Sequence, residues 1–192
     1  MKHFLLLSVL VFLLTNIVKS QTHEHRLLIG GGKSMHGTGD LPGYSFFNQL
    51  DIQLNKRFFL SPGLQFTNHA DKYYLSEFEL NYVTAGTNIF TNINYFILNK
   101  TRHQVAIGAG PLLRFQNSSV PSYVASGLGA SGTQVLTLQY GKLRSTSFGY
   151  NISPSYYFQF SKKCFLGAKL ILQNDTEADL ILSSMALIGI KL

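Results

Sequence analysis

The amino-acid sequence predicts an all-β protein, an eight-stranded antiparallel up-and-down transmembrane β-barrel. Apolar and polar residues alternate with a period of two over segments close to the about 10 residues that a tilted strand needs to cross a bilayer. Short polar turns alternate with longer connections, and aromatic residues cluster at the segment ends. Together these three observations are typical of outer-membrane barrels.

Eight segments of the chain carry this strand pattern. They are His25–His36, Tyr44–Leu54, Phe58–Asn68, Thr87–Leu98, Gln104–Gln116, Ser147–Phe160, Cys164–Gln173 and Leu180–Leu192. Residues 72–98 are too long for one crossing, and residues 133–145 look β-like inside the longest connection. We favour eight strands that extend past the membrane, and ten strands are the alternative.

The connections differ in length at the two ends of the predicted barrel. Three of them are short, polar and cationic: Asn55–Arg57, Asn99–His103 and Ser161–Lys163. The others are longer, and the longest covers residues 117–146. Short turns at one end and long loops at the other are typical of outer-membrane barrels. The pattern places both chain termini at the short-turn side, which we expect to be periplasmic.

One face of the predicted strands is apolar and the other is polar. The apolar side chains should contact lipid: Leu50, Ile52, Leu54, Leu60, Leu64, Phe66, Val105, Ile107, Leu113, Leu166, Ala168, Leu170, Leu172, Ala186, Ile188, Ile190 and Leu192. The polar side chains should fill the lumen as a hydrogen-bonded network: Gln49, Asp51, Gln53, Gln65, Asn92, Asn94, Arg114 and Lys169, together with Gln159. Because a buried unpaired carboxylate is costly, Asp51 needs a cation, and Lys169 or Arg114 is the candidate.

Aromatic residues flank each short turn. Folded as hairpins, they should form a girdle at the membrane interface: Phe58, Phe59, Tyr95, Phe96, Tyr156, Phe158, Phe160 and Phe165. A second aromatic set lies at the long-loop ends of the strands: Tyr44, Phe46, Tyr73, Tyr74, Phe115, Phe148 and Tyr150.

The N-terminus has the features of a secretory signal peptide. Lys2 precedes a short apolar run, Phe4–Leu14, and small Ser20 ends the segment. The run is shorter than the about 20 apolar residues of a spanning helix. We therefore expect residues 1–20 to be cleaved off and residues 21–192 to form one barrel domain.

Composition narrows the set of partners. The chain has 16 Lys and Arg against 9 Asp and Glu. The cations are scattered along the sequence, which argues against nucleic acid as a binding partner. The positive charge is compatible with binding to anionic lipid head groups. Cys164 is the only cysteine, so no internal disulfide stabilises the exported chain. We expect a monomer in outer-membrane lipid, with no cofactor, no metal and no nucleic acid.

Three short motifs also occur in a characteristic order. They are "KSQ" at the predicted cleavage site, "LLIGGGKS" in the first strand and "VAIGAGPLLRF" after a short turn. In this order they resemble the PorT-like family of small outer-membrane β-barrels of Bacteroidota. The C-terminal "ALIGIKL" departs from that family, because such barrels usually end in an aromatic residue. The resemblance implies the fold and the location and little about activity.

The function that these patterns favour is an integral outer-membrane barrel with a side-chain-filled lumen. Its role would be structural or accessory, presented through long extracellular loops, with residues 117–146 as a possible surface for a protein partner. One alternative is a lipid hydrolase or protease that uses His69 and Asp71 with Ser76 or Ser118, although no motif selects a nucleophile, so we assign no catalytic residue. The other alternative is a soluble lipocalin-like carrier.

Overall fold

The structure is a computed structural model, and it describes residues 24–37, 41–75, 78–128, 134–177 and 180–192. The predicted signal peptide, residues 1–20, lies outside this part, as does Ser76. In the described part, no helix is long and apolar enough to span a membrane.

Eight strands close into one barrel. They are His25–His36 (β1), Leu41–Gln53 (β2), Phe58–Leu75 (β3), Phe78–Asn99 (β4), His103–Leu128 (β5), Gln134–Gln159 (β6), Cys164–Asp175 (β7) and Leu180–Lys191 (β8). Each strand pairs antiparallel with the next, and β8 pairs with β1 from Arg26↔Lys191 to His36↔Ile181. The prediction of an eight-stranded antiparallel barrel is confirmed, and the ten-strand alternative is wrong.

Two hairpins extend well past the other strands. β5 and β6 have 26 residues each, against 12 in β1, β7 and β8. Their pairing runs from His103↔Phe158 to Leu128↔Gln134, with one register shift between Pro121 and Tyr123. Residues 117–146, expected to be mainly a connection, are therefore mostly strand. The β3–β4 hairpin also continues, to Leu75↔Phe78.

The opposite end of the barrel has the three short turns, and side-chain hydrogen bonds stabilise two of them. Asn55 Oδ1 accepts hydrogen bonds from the backbone amides of Arg57 and Phe58 at 2.8 and 3.0 Å. Ser161 Oγ accepts from the amides of Lys163 and Cys164 at 3.2 and 3.0 Å. Asn and Ser favour such turns because their side chains mimic a backbone acceptor. We call this the short-turn end and the opposite one the hairpin end.

The alternating residues of each strand point in turn to the outer surface and to the interior of the barrel. Outward apolar side chains are well exposed, for example Ile29 at 53 %, Leu170 at 48 % and Ile188 at 45 %. Inward side chains are buried, and many of them are polar, so the structure has an apolar exterior around a largely polar interior. This arrangement is the reverse of the apolar cavity that a soluble lipocalin-like carrier requires.

Candidate functional site

The interior at the short-turn end is built around a buried guanidinium group. Arg26 is 2 % exposed, and its Cζ lies 4.7 Å from the ring centroid of Phe59, 5.2 Å from that of Phe96 and 5.8 Å from that of Phe165. Its Nε donates to Glu24 Oε1 at 2.6 Å, and its Nη1 donates to Gln104 Oε1 at 2.8 Å. The charge is therefore held by one carboxylate, one amide and three ring faces.

The rings around Arg26 also pack on one another. Phe59 and Phe96 have centroids 4.7 Å apart, and Tyr157 meets Phe165 edge-on at 5.6 Å. Phe165 fits inside a narrow barrel because it lies over Gly189, where a Cβ would come within 2.2 Å of the ring. We call Arg26 with these four rings the interior aromatic cluster. It fills the short-turn end of the lumen.

The prediction of an aromatic girdle was wrong for the residues that belong to this cluster. Phe59, Phe96 and Phe165 were assigned to the lipid interface, yet they are 0–2 % exposed inside the barrel. The reason is the strand period, because neighbours such as Phe58 and Phe59 must point to opposite faces. The remaining assigned residues lie on the outer side, exposed or half-buried: Phe58, Tyr95, Tyr156, Phe158 and Phe160. Polar groups bind two of them, since Arg57 Nη1 donates to Tyr95 Oη at 3.0 Å and His103 Nδ1 lies 2.8 Å from Tyr156 Oη.

Beside the interior aromatic cluster lies the buried charge of Asp51, whose cross-strand partner is Arg26. Lys169 Nζ donates to Gln49 Oε1 at 2.5 Å, and Gln49 Nε2 donates to Asp51 Oδ1 at 2.5 Å. Ser61 Oγ donates to the same carboxylate oxygen at 2.6 Å and accepts from Asn94 Nδ2 at 2.5 Å. Lys169, one of the two candidate partners of Asp51, is thus linked to the carboxylate through an amide.

Towards the hairpin end, amide side chains cross the lumen. Asn92 Nδ2 donates to Asn151 Oδ1 at 2.6 Å, and Asn88 Nδ2 donates to Gln173 Oε1 at 2.9 Å. Gln65 Nε2 donates to Ser45 Oγ at 2.8 Å. These bonds link side chains up to 85 residues apart in the sequence, so the interior is a network that spans the barrel.

Arg114, the other candidate partner for Asp51, lies nearer the hairpin end. Its Nη1 is 3.4 Å from Asp175 Oδ2, which also accepts from Ser147 Oγ at 3.0 Å. Both charged side chains are at most 2 % exposed. Arg114 therefore pairs with an acid that the sequence analysis did not assign to the lumen.

Two glutamines expected in the lumen lie at the short-turn rim instead. Gln53 is half-buried, and its Oε1 accepts from the backbone amide of Glu24 at 3.2 Å. Gln159 Nε2 donates to the backbone oxygen of Lys162 at 3.0 Å. Both are the last residues of their strands, β2 and β6, so their side chains bind the rim rather than the network.

The structure does not bring the residues proposed for a hydrolase, His69, Asp71 and Ser118, into one site. His69 Nε2 lies 2.9 Å from Ser34 Oγ, a serine that the sequence analysis did not consider. Ser118 instead pairs with Thr84 Oγ1 at 2.9 Å, and Asp71 Oδ1 accepts from the amide of Lys72. Both Ser34 and His69 are 1 % exposed, and Ser34 Oγ also bonds Ser183 Oγ. The serine–histidine contact thus belongs to the buried network.

Much of this interior is not predicted by the sequence pattern. The strand period already pointed to Asn88, which is four residues before Asn92 and shares its face. Arg26 was counted among scattered cations because its neighbours on the same face, Leu28 and Gly30, are apolar or small. The inward residues not assigned to the lumen include Arg26, Phe47, Ser61, Asn88, Phe90, Gln104, Asn151, Tyr157, Ile171, Gln173 and Met185.

Comparison with known proteins finds similar folds without similar sequences. No model of a protein family matches the chain, and no curated protein matches it. The chain is similar to the attachment invasion locus protein Ail of Yersinia pestis, with 8 % identity, a TM-score of 0.54, and 90 % of this chain and 100 % of that one covered. It is also similar to Ail in complex with the heparin analogue sucrose octasulfate, with 10 % identity and a TM-score of 0.56 over the same shares.

A further similar structure is Neisserial surface protein A, with 13 % identity, a TM-score of 0.50, and 90 % of this chain and 98 % of that one covered. At these identities the likeness concerns the fold alone. The resemblance to the PorT-like family stays a prediction. The eight-stranded fold that the chain shares with these outer-membrane barrels, with its apolar exterior, fits an integral outer-membrane β-barrel.

Proposed function

We propose that this chain is a non-conducting outer-membrane barrel with a structural or accessory role, and that it displays the β5–β6 hairpin outside the cell. In this orientation the short turns and the two ends of the barrel domain are periplasmic. The apolar exterior supports the membrane location, and the difference in length between turns and hairpins supports the orientation.

The filled interior is the observation that carries the non-conducting role. An eight-stranded barrel leaves a lumen just wide enough for side chains. Here the interior aromatic cluster occupies one end, and the amide and charge network occupies the rest together with buried apolar side chains such as Phe47, Phe90 and Met185. Because these groups bond one another across the lumen, a continuous water column would have to break several buried hydrogen bonds.

The test is the ionic current of the folded wild-type protein in a planar bilayer. We expect no steady single-channel current. The protein-free bilayer gives the baseline of the measurement, and a wide outer-membrane porin in the same bilayer is the positive control. Steady current from the wild type above the protein-free baseline would contradict the sealed interior and make a small pore the leading function.

The hairpin role can be tested without disturbing the register. Val120 pairs with Gly141, so replacing residues 120–141 with Asn-Gly joins Ser119 to its own partner Lys142 through a favoured two-residue turn. We expect this variant to insert and to keep heat-modifiable migration on gels. The matched control joins Lys72 to Asn81 in the β3–β4 hairpin in the same way. Loss of insertion in the β5–β6 variant alone would make that hairpin structural rather than a displayed surface.

A second candidate role is the binding of sulfated polysaccharide by the hairpin. Lys142 and Arg144 are exposed and two residues apart, so they share one face of β6. The similar protein Ail has been solved with a heparin analogue. Titration with sucrose octasulfate tests this: Lys142→Gln with Arg144→Gln should weaken binding at least tenfold. The control pair at the other end, Lys162→Gln with Lys163→Gln, should leave binding unchanged, and equal weakening by both pairs would contradict a hairpin site.

A further inference from the structure

Lys33 is a cation on the lipid-facing side of the barrel. It points outward from β1 and is exposed, between Gly31 and Met35 on the same face. Apolar residues lie close to it: Met35 is 49 % exposed, and Leu182, paired with Met35 on β8, is 45 % exposed. Its direct cross-strand partners, Tyr44 and Ser184, carry hydroxyl groups, so Lys33 lies at the hairpin-end edge of the apolar band.

No acid of this chain neutralises Lys33 within the described residues. Glu24 pairs with Arg26 and Lys191, and Asp175 pairs with Arg114. Asp51 is buried inside the barrel, where it accepts from Gln49 and Ser61. A cation at the edge of the lipid-facing surface attracts anionic lipid head groups. The surrounding membrane is therefore a source of counter-charge for Lys33.

Two adjoining hollows lie beside Lys33 on the outer surface. The first, of about 490 Å³, is lined by polar and apolar groups that include Lys33, Tyr44 and Asn68. The second, of about 620 Å³, lies nearer the short-turn end and is apolar, lined by residues that include Ile29, Gly31, Phe46, Phe66, Ala186 and Ile188. Strand pairing joins the two hollows, since Lys33 pairs with Tyr44 and Gly31 pairs with Phe46.

The apolar hollow exists because small residues stand side by side at its floor. Gly31 pairs with Ala186 on β8, and both residues line the hollow. A Cβ at Gly31 would come within 2.8 Å of Phe46 Cδ1, so any larger residue there would displace the ring that forms one wall. Of the two adjoining hollows, the one nearer the hairpin end offers a charge and hydrogen-bonding groups, and the one nearer the short-turn end is apolar.

We propose that this face binds an anionic phospholipid of the surrounding leaflet. The phosphate is held by the Lys33 ammonium, with the Tyr44 hydroxyl and the Asn68 amide as further donors. One acyl chain occupies the apolar hollow over Gly31 and Ala186. The proposal rests on the membrane location proposed above, and it identifies a lipid class that the scattered charge of the sequence does not specify.

The experiment measures lipid selectivity at the protein surface. The full chain without its signal peptide is reconstituted in phosphatidylcholine vesicles that contain a small fraction of spin-labelled phosphatidylglycerol or spin-labelled phosphatidylcholine. The motionally restricted fraction gives the relative association constant of each lipid. We expect the wild type to prefer phosphatidylglycerol several-fold and Lys33→Gln to lower the ratio to near one.

Three controls distinguish a specific lipid site from general effects. Lys162→Gln removes a cation from an exposed turn and should leave the ratio unchanged. Ala186→Phe should reduce the association of phosphatidylglycerol by filling the apolar hollow, whereas Ala109→Phe, outward on β5 and away from both hollows, should not. Diluting the protein tenfold in lipid should leave the ratio unchanged, because a second copy of the chain is not the occupant.

Several results would overturn the proposal. They are a wild-type ratio near one, an unchanged ratio in Lys33→Gln, an equal fall in Lys162→Gln, and a ratio that depends on protein dilution. Failure of the wild type to insert at all, seen as an absence of heat-modifiable migration, would overturn the membrane location as well. Insertion with a ratio near one overturns the lipid site alone.

Discussion

Asp51 and Lys169 are joined across the barrel interior by the single side-chain amide of Gln49. The Gln49 oxygen accepts from the lysine ammonium, and its nitrogen donates to the carboxylate, both at 2.5 Å. All three residues are 1 % exposed. An amide can bridge the two charges because it offers an acceptor to one and a donor to the other. Arg26, the cross-strand partner of Asp51, is a second buried cation on the same face, so Asp51 lies between two cations.

The bridge predicts strong coupling between the two charges. Asp51→Ala should lower the free energy of unfolding by about 3–5 kcal/mol, because it leaves a buried cation without a counter-charge. Adding Lys169→Met should recover part of that loss, since the uncompensated charge is removed as well. The measurement is a double-mutant cycle from urea unfolding in lipid vesicles. Losses that simply add in the double variant would show that the two charges do not interact.

Local alternation in the sequence was sufficient to predict the barrel but not the contacts across its interior. The period of two assigned Asp51, Gln49 and Lys169 to one face because inward and outward residues alternate along every strand. It could not show that Gln49 stands between the charges, because that depends on the stagger of β2 against β7. The girdle prediction was wrong at Phe59 for a related reason. Phe58 and Phe59 are both aromatic residues beside a short turn, but neighbouring residues of a strand point to opposite faces, so Phe58 faces outward and Phe59 faces inward.

Strand extension was also only partly predictable. Residues 133–145 already showed a β-like pattern, and the structure continues β6 through them from Gln134. By contrast, Ser118 to Ser126 is rich in Ser and carries Pro121, a composition that favours loops. Pairing with β6 overrides this preference, and the register shift beside Pro121 accommodates the missing amide.

Arg26 should be a major contributor to barrel stability. Arg26→Met removes the hydrogen bonds to Glu24 and Gln104 and the contacts with three rings, so we expect the free energy of unfolding to fall by more than about 2 kcal/mol. Arg102→Met is the matched control, because Arg102 lies exposed in a short turn. A loss in Arg26→Met no larger than that of the control would mean that the cluster is held by its rings alone.

Depth in the bilayer should decide the effect of a charge on the outer face. Leu170 is the seventh of the 12 residues of β7 and faces outward. Leu170→Arg should therefore cost about 2–4 kcal/mol of unfolding free energy, the range for the bilayer midplane. Ile52 faces outward one residue before the end of β2 at the short turns, so Ile52→Arg should cost about 0–1 kcal/mol. Equal costs at both sites would contradict this placement of the membrane.

The ion pairs of Glu24 at the short-turn end should make the stability of the barrel sensitive to acid. Burial raises the pKa of Glu24, but Arg26 and Lys191, at 2.6 and 3.3 Å from its Oε1, lower it more, so the pKa stays below its ordinary value of 4.5. A carboxyl group whose pKa is lower in the folded state binds its proton more weakly there than in the unfolded state. Its contribution to stability is complete above the unfolded pKa and is lost as the pH falls through the folded one.

Glu24→Gln should therefore remove this acid sensitivity. The wild type should be more stable than the variant at pH 6 to 7, and the difference should shrink as the pH falls below about 4.5, where Glu24 becomes protonated in the unfolded chain before it does in the folded one. Urea unfolding in vesicles between pH 3 and 7 measures it, with Glu177→Gln, exposed near the hairpin end, as the control for general charge effects. A difference that stays constant across this range would mean that the ion pairs of Glu24 with Arg26 and Lys191 do not stabilise the closed rim.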